Sequence, residues 1–456
     1  MKFWFLIGCL LGMFQAYAQT TSLTLSQCLS RGIETNLSLQ QVQLLKEQSI
    51  NNLQQSRLNF LPNLNASGGW STNFGASFDP QVFSRVNKTT HFSSPTLSMN
   101  VSLFNGLTRH YAYKQAKSNL TASTQAENKS RNNLLTSIAL AFMKVVVDES
   151  NKQIAESRLQ LIQKQLDRIK ILIANGSLPP GEELTAISQL ATEESGLINT
   201  EMQIKRDKLT LVQLLNLDPL REYQFVKPTI LEFGDSLPAV EKLVTYVVES
   251  WPDVLEQKAR VDAAYYSQKQ TLAGSLPSLS LNTSLNSNYS SNGGITKVDS
   301  AATVQQGRVV TYRERFGIAN QFEDNFNQSV NVSLSIPIFN RGQVRQSKQN
   351  AILNLKNAEL QLETTKQQIT QAVIQSWAEA KAARATLVAA HARENAAKIA
   401  YEYAEKRHQS GSIDFFRYLE ALNNLTNAQV NLTIAQYDWM LKYKMLDLYQ
   451  GKDLVF

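Results

Sequence analysis

The sequence is poor in the residues that carry redox, metal and disulfide chemistry. Only two cysteines and four histidines occur among its 456 residues. No nucleophile elbow, phosphate-binding glycine loop or metal-spaced cluster is present. The sequence therefore argues against an enzyme and predicts no cofactor and no metal site.

Glycine, proline and aromatic residues are also scarce. The chain has 19 glycines and 11 prolines, and 9% of its residues are aromatic, while the mean hydropathy is −0.26. Few breakers imply long uninterrupted elements, and few aromatics argue against a thick globular core. The composition favours long, solvated helices.

Long hydrophobic runs are confined to the N-terminus. Lys2 precedes an apolar run from Phe3 to Phe14 and the small-residue site Ala16-Tyr17-Ala18, which together predict a signal peptide, residues 1–18, cleaved before Gln19. Leu6-Ile7-Gly8-Cys9 also looks like a lipid-attachment box, but few apolar residues precede Cys9, so we favour simple cleavage. No later run reaches the length of a transmembrane helix. Cleavage leaves Cys28 without a disulfide partner, and we expect it to be a small apolar residue inside a helix.

The net charge of +7 is spread along the chain. Its lysines and arginines alternate with acidic residues over the predicted helices, which is typical of a solvated helix face. The charge pattern therefore predicts no nucleic-acid partner.

The chain matches itself at two offsets. Leu61-Pro62-Asn63-Leu64 corresponds to Leu276-Pro277-Ser278-Leu279, 215 positions later, whereas Phe104-Asn105 corresponds to Phe339-Asn340, 235 positions later. Matches at the larger offset continue through the turns, with Gly176-Ser177-Leu178 against Gly411-Ser412-Ile413. The sequence predicts an internal repeat, residues 19–235 and 236–456, with an insertion between the strands of the second half.

Each half carries two segments that alternate apolar residues with Asn and Ser. They predict strands at about 62–74 and 96–104 in the first half, and at about 277–289 and 326–338 in the second. Such alternation, with aromatic residues near the ends, is typical of outer-membrane barrel strands. A soluble sandwich with one wet face has the same alternation.

Two very long helices follow these strands. Residues 107–175 and 343–410 contain no glycine or proline, and an α-helix of that length extends about 100 Å. Return helices are predicted at 182–218 and 412–450, and shorter helices at 38–61 and 253–276 precede the first strand of each half.

The strand-to-helix junctions carry the repeated phrase. We assign them to Phe104 and Asn105 in the first half and to Pro337, Phe339 and Asn340 in the second. The first copy has Ser102 in place of Pro337 and lacks a counterpart of Arg341, so we expect the two junctions to bend differently.

Four strands cannot close a barrel in lipid, because the open edges would leave backbone groups unpaired and the smallest membrane barrels have about eight strands. Three copies supply twelve strands, enough for a lumen lined by the Asn and Ser faces. The fold class expected is thus α+β, a trimeric twelve-stranded β-barrel with four strands per chain, continued by a long α-helical tube.

The plan of two strands followed by two helices, occurring twice, resembles the TolC-like outer-membrane efflux proteins. The motifs that carry the resemblance are Pro337-Ile-Phe-Asn-Arg-Gly342 at the junction and Gly411-Ser-Ile-Asp-Phe-Phe-Arg-Tyr-Leu-Glu-Ala421 at the helical turn. It covers essentially the whole mature chain. The resemblance implies a homotrimer in the outer membrane of a Gram-negative bacterium, in contact with outer-membrane lipid and extending into the periplasm.

The same resemblance implies a function and partners. The channel would be the passive exit duct of a tripartite efflux or type I secretion system, docked on a periplasmic adaptor (membrane fusion protein) and served by an inner-membrane transporter of the RND or ABC type. A periplasmic coiled-coil adaptor or scaffold is the alternative. It shares the long hairpins but does not explain four strands with Asn and Ser on one face.

Family members close the tunnel at the helical turns, and this implies site residues by position. A tip gate or ion filter would involve Glu182, Arg417, Glu420 and His408, with Arg417 free to pair with a neighbouring carboxylate. The turn residues would contact the adaptor: Gly176, Ser177, Leu178, Gly411, Ser412 and Ile413. The simpler alternatives are solvated helix-start residues and pure helix capping by Gly and Ser. An aromatic–arginine latch known in some members is not expected, because its positions hold His408 and Ile413.

Overall fold

The structure is a computed structural model that describes residues 21–79, 83–229, 237–298, 311–315, 317–452 and 454. The predicted signal peptide, with Cys9, lies outside these residues and stays a prediction. Among the helices in these ranges, none combines the length and the apolar character needed to cross a membrane.

Helices make up most of the described chain. In chain order they are α1 Leu25–Thr35, α2 Leu37–Leu58, α3 Thr108–Ala174, α4 Gly181–Leu214, α5 Val240–Ser250, α6 Pro252–Ala273, α7 Ile318–Asp324, α8 Gln343–Gln409 and α9 Phe415–Tyr449. The two long helices, α3 and α8, end within a residue of the predicted limits because glycine turns bound their breaker-free sequences. Return helices α4 and α9 are shorter than predicted.

The strands are mostly short. In chain order they are β1 Thr21–Leu23, β2 Asn63–Ser67, β3 Trp70–Asn73, β4 Ala76–Asp79, β5 Ser84–Asn87, β6 Thr90–Ser93, β7 Thr96–Asn105, β8 Tyr223–Phe225, β9 Ser278–Asn286, β10 Tyr289–Ser290, β11 Gly294–Val298, β12 Thr311–Arg315 and β13 Asn327–Ser335.

Four strands form one antiparallel sheet in the order β13-β9-β7-β2. Its register places like residues opposite each other across the strands: Leu281 lies opposite Val332 and Val101, and Asn282 opposite Asn331 and Asn100. Because neighbouring residues of a strand point to opposite faces, the sheet has one apolar face and one face of Asn and Ser.

The first predicted strand, 62–74, is wrong as a single element. It breaks at Gly68-Gly69, and β3 leaves the four-stranded sheet to pair with β6. Two adjacent glycines offer no side chains to pack and weaken a strand at that point. The predicted strand at 277–289 divides in the same way into β9 and β10, where β10 also pairs with β6.

The chain divides into two compact units that cut across the predicted repeats. Of the described residues, the helical unit contains those within 21–47, 121–258 and 360–454, and the strand unit contains those within 48–120 and 259–359. Each unit thus takes segments from both halves of the sequence.

The helical unit has a continuous apolar core. Phe142, Ile138 and Val145 of α3 are fully buried together with Leu211 of α4 and Leu446 of α9. Two helices whose bounds were not predicted from the sequence, α1 and α5, pack on this core. Thr24 and Gln27 form a capping box that starts α1.

Cys28 is a fully buried residue of α1, which confirms the expectation of a small apolar residue inside a helix. Burial raises the pKa of its thiol to about 12, so Cys28 stays neutral and unreactive at physiological pH.

The two strand-to-helix junctions share one backbone device. Gly106 and Leu107 have φ of 65° and 72°, and Arg341 and Gly342 have φ of 56° and 76°. In each junction two consecutive residues are left-handed, with the glycine first in one copy and second in the other. The strands reach this shared turn differently, as predicted: β7 stays paired as far as Asn105, with an irregularity between Ser102 and Phe104, whereas β13 ends at Ser335.

Candidate functional site

The candidate site lies at the two helical turns of the helical unit, where α3 returns as α4 and α8 returns as α9. Both outgoing helices end in the same way. The amide of Ser177 donates to Leu172 O (2.8 Å) and that of Gly176 to Ile173 O (2.9 Å), and Ser412 donates to Arg407 O (2.8 Å) and Gly411 to His408 O (3.1 Å). With φ of 70° at Gly176 and 75° at Gly411, each turn is a Schellman motif that needs its glycine.

The return helices start differently from each other. Asp414 caps α9, its carboxylate accepting from the amide of Arg417 at 2.8 Å. Pro180 stands at the same place before α4 and provides no side-chain cap. The simpler alternative, in which Ser177 and Ser412 cap the return helices, is therefore wrong, since Pro180 and Asp414 occupy the capping positions. Ser412 Oγ instead lies 2.9 Å from Ser410 Oγ.

Four aromatic rings form a cluster beside the second turn. The ring of Tyr418 stacks with two others: its centroid lies 5.1 Å from that of His408 and 6.2 Å from that of Phe415. The hydroxyls of Tyr418 and Tyr401 lie 3.2 Å apart. Burial, strengthened by this contact, raises the pKa of Tyr401 far above its ordinary value, so the pair stays neutral.

His408 is held on both sides of its ring. Its Nδ1–H donates to the carbonyl of Ile413 at 3.2 Å, which leaves Nε2 to accept from the side-chain amide of Gln165 on the first hairpin. His408 is thus a half-buried residue that joins both hairpins, and not the exposed helix-end histidine of the simpler alternative.

Two arginines of α3 make further contacts with the second hairpin. Arg158 donates to Asn423 of α9, and Arg168 donates to the carbonyl of Gln409 at 3.1 Å. Within the first hairpin, Arg158 also donates to Glu193 of α4 at 2.6 Å. Only about a sixth of each side chain of the Arg158–Glu193 pair is exposed, at 16% and 14%. These charge-assisted bonds are stronger than ordinary surface pairs.

The predicted tip residues are divided between two clefts. Glu182 and His408 line one cleft together with Ser177, Leu178, Gly411 and Ile413. Arg417 and Glu420 line another, which also includes Ile413. The two predicted carboxylates, Glu182 and Glu420, therefore line different clefts. Within the described part of this chain no carboxylate forms an ion pair with Arg417.

The residues that join the hairpins were not predicted from the sequence. Arg158, Gln165 and Arg168 are spaced by seven and three positions, which places them along one face of α3. That spacing was visible in the sequence, but nothing in it told which helix faced this stripe.

Replacing His408 with phenylalanine tests the importance of these bonds. The variant keeps an aromatic ring on Tyr418 but loses the hydrogen bonds to Ile413 and Gln165. Together these bonds stabilise the turn by about 1 kcal/mol. We expect amide hydrogen exchange at 410–413 to become about tenfold faster, measured by mass spectrometry. The control is His391→Phe, an exposed histidine on the same helix. Equal exchange in both variants would show that the bonds of His408 do not hold the turn.

Comparison with known proteins agrees with this architecture. The family model described as "Outer membrane efflux protein" matches residues 28–217 and 245–452. A curated relative, the outer membrane efflux protein BepC of Brucella suis, is 22% identical over 347 residues, which cover 75% of this chain and 68% of the relative.

Solved structures share the fold at low identity. The outer membrane protein VceC of Vibrio cholerae superposes with a TM-score of 0.75 at 17% identity, covering 94% of this chain and 97% of VceC. The CmeC outer membrane channel of Campylobacter jejuni gives 0.75 at 18% identity, covering 93% and 84%. Because the family model matches most of the chain, the chain belongs to the outer membrane efflux protein family and is located in the outer membrane.

Proposed function

We propose that three copies of this chain form an outer-membrane channel, the passive exit duct of a tripartite efflux or type I secretion system. The observation that carries the proposal is the exposed apolar face of the four-stranded sheet. On β13, Val330, Val332 and Leu334 are exposed by 72%, 59% and 62%. In water three adjacent exposed aliphatic residues are costly, whereas in a bilayer they are the expected outer face of a barrel strand.

The sheet also needs partners at its edges. Strands β2 and β13 stand at the two ends of the sheet, and each pairs on one side only within the described residues. In lipid every backbone group must be paired. Further copies of the chain satisfy this requirement, and three of them give twelve strands, with the Asn and Ser face directed to the lumen.

The helical turns support a role for the tip. Each outgoing helix ends in a glycine motif that fixes the backbone, and the exposed residues Leu184 and Phe416 lie in the first turn of the return helices. We propose that Gly176, Ser177, Leu178, Gly411, Ser412 and Ile413 contact a periplasmic adaptor, through which an inner-membrane transporter of the RND or ABC type delivers substrate.

Membrane fractionation and pore recording test the channel. We expect the chain in the outer-membrane fraction, extracted by detergent as a trimer that resists dissociation without heating, and conducting after reconstitution in planar bilayers. A protein released as a soluble periplasmic monomer would contradict the proposal and favour the adaptor or scaffold alternative.

Charge removal at the tip tests the proposed filter. In a trimer, Glu182 and Glu420 place carboxylates around the tunnel mouth, and a ring of carboxylates favours cations. The double variant Glu182→Ala, Glu420→Ala should lower the cation-to-anion permeability ratio by about twofold or more, read from reversal potentials in a salt gradient. Glu249→Ala, an exposed site on α5, is the control. An unchanged reversal potential would remove the filter without affecting the channel.

A further inference from the structure

Three aromatic side chains form a row in the strand unit, beyond the end of the four-stranded sheet that is remote from the helical junctions. The indole of Trp70 stacks with His91 at a centroid distance of 5.9 Å and with Tyr289 at 5.7 Å, with interplanar angles of 25° and 23°. Trp70 is nevertheless 60% exposed. An exposed indole held flat between two rings presents a broad amphipathic surface.

The row lies on the side of the strands that carries the apolar residues. Trp70 of β3 and Tyr289 of β10 both lie opposite Ser93 of β6. Alternate residues of a strand point to the same side. Counted in steps of two, His91 and Ser93 fall on the same side as Leu97 of β7, and Tyr289 falls on the same side as Leu285 of β9. The aromatic row thus continues the apolar face of the sheet.

Hydrogen bonds fix the row in place. Thr72 Oγ1 lies 2.9 Å from His91 Nδ1, and the amide of His91 donates to Ser291 Oγ at 3.0 Å. Beside Tyr289, the buried carboxylate of Asp79 accepts from Ser290 Oγ at 2.6 Å and from Asn292 Nδ2 at 3.0 Å. Such buried, satisfied polar networks are rigid, so the row is a preformed surface.

The distance along the strands matches a membrane. From Ser278, next to the helical junction, to Tyr289 there are eleven residue steps, at most about 36 Å along a strand. With a strand tilt of about 40° this is about 28 Å along the membrane normal, close to the ~25 Å apolar band of outer-membrane barrels. Phe104 and Phe339 are exposed at the junction end. Aromatic residues therefore bracket the apolar face at both ends.

We propose that Trp70, His91 and Tyr289 form a contact surface for the lipid headgroup region of the outer leaflet. The proposal rests on the proposed channel, since it takes the apolar face of the sheet to be in lipid. Indole and phenol rings suit this region because their ring bodies face acyl chains while N–H and O–H bond to headgroup and ester oxygens. The row then sets how deep each strand unit sits in the membrane.

Quenching of tryptophan emission by brominated phosphatidylcholine tests the assignment. The full chain is reconstituted in vesicles with bromines either near the headgroup end or near the methyl end of the acyl chains. We expect headgroup-end bromines to quench about twofold more than methyl-end bromines, as for an interfacial indole. Trp70→Phe should abolish this difference. Trp377→Phe, on a helix of the helical unit, is the matched control and should leave the difference unchanged.

A second probe separates this proposal from that of the channel. Val332→Trp, placed in the Trp70→Phe background, reports whether the middle of the apolar face lies in lipid, where methyl-end bromines should quench it. Quenching of this probe but not of Trp70 would overturn the lipid contact and leave the channel standing. If neither is quenched, both proposals fail. Quenching of Trp70 that is equal at both depths would also overturn the interfacial position.

Discussion

Alanine in place of Gly106 is expected to stop the chain from reaching a stable fold, whereas alanine in place of Gly342 should cost only about 1–2 kcal/mol. The two glycines occupy equivalent junctions and have similar backbone angles, with φ of 65° and 76°. The conformational cost of a Cβ is therefore similar at both. What differs is the space around them.

A Cβ on Gly106 would overlap the carbonyl oxygen of Ala273 and approach Leu276 Cβ to 2.8 Å. That carbonyl ends α6 and accepts the amide of Leu276 at 3.1 Å, so backbone on both sides would have to move. Around Gly342 the same Cβ meets nothing within 4 Å. Overlap with fixed backbone belongs to the exceptional substitutions that cost more than about 4 kcal/mol, a large part of a typical stability of about 5–15 kcal/mol.

The measurement is the yield of folded protein together with the thermal unfolding midpoint in detergent, followed by circular dichroism. Gly106→Ala should give little folded protein, and Gly342→Ala should fold with a slightly lower midpoint. Equal behaviour of the two variants would mean that the first junction does not pack against the turn at Ala273 as the structure has it.

This pair of glycines also shows the limit of prediction from the sequence. Periodicity and breaker-free length predicted α3 and α8 to within a residue, because local composition alone decides where such helices end. The position of a junction was visible for the same reason. The contact between Gly106 and Ala273 was not, because 167 positions of sequence separate them and a single sequence does not tell which elements meet.

The same reasoning applies to the candidate site. The two glycine turns were predicted from local sequence, and the structure has a Schellman motif at each. The bonds of Arg158, Gln165 and Arg168 to the second hairpin depend on how two helical pairs are placed together. His408 was predicted by position as part of the tip gate, yet its bonds in the structure are to partners on both hairpins, which only the fold supplies.

A second large effect is expected from the pair Asp148 and Asp207 in the helical unit, and it depends on pH. Oδ2 of Asp148 is shielded from water and receives no hydrogen bond from a donor among the described residues. Asp207 accepts from Lys144 at 2.8 Å and from Gln203 at 2.7 Å. A carboxyl group buried beside a carboxylate is stable if it keeps its proton and donates a hydrogen bond to that neighbour.

The pKa values follow from this arrangement. Burial, with the hydrogen bond to Asp207 and its negative charge, raises the pKa of Asp148 to about 7. Burial would also raise the pKa of Asp207, but hydrogen bonds from Asp148, Lys144 and Gln203 together hold it below its ordinary value. One proton therefore stays on Asp148 through the mildly acidic range.

Linkage gives the sign of the effect on stability. Between about pH 4 and 7 the folded chain keeps a proton that the unfolded chain releases, so the free energy of unfolding falls as pH rises through this window. The full shift would correspond to about 4 kcal/mol, and we expect about half of that because Asp148 retains partial contact with solvent. Asp207 acts in the opposite direction, but only below about pH 4, outside this window.

Equivalent positions in the second half lack this arrangement. Lys144 and Asp207 correspond, 235 positions later, to Glu379 and Lys442, which form an ion pair of reversed polarity at 2.5 Å. Ala383 stands at the place of Asp148. Burial raises the pKa of the nearby Asp438 as well, but this group is present in every variant compared, so it cancels in the difference.

Asp148→Asn should therefore flatten the pH dependence of stability between about pH 4 and 7 and leave the variant about 2 kcal/mol more stable than the natural chain at pH 8. The amide keeps a donor for Asp207 but has no proton to lose. Denaturant unfolding at a series of pH values measures the difference, with the exposed Asp262→Asn as the control. An Asp148→Asn curve parallel to that of the natural chain would mean that Asp148 is already ionised in the folded protein, and that its buried oxygen is satisfied by water rather than by the shared proton.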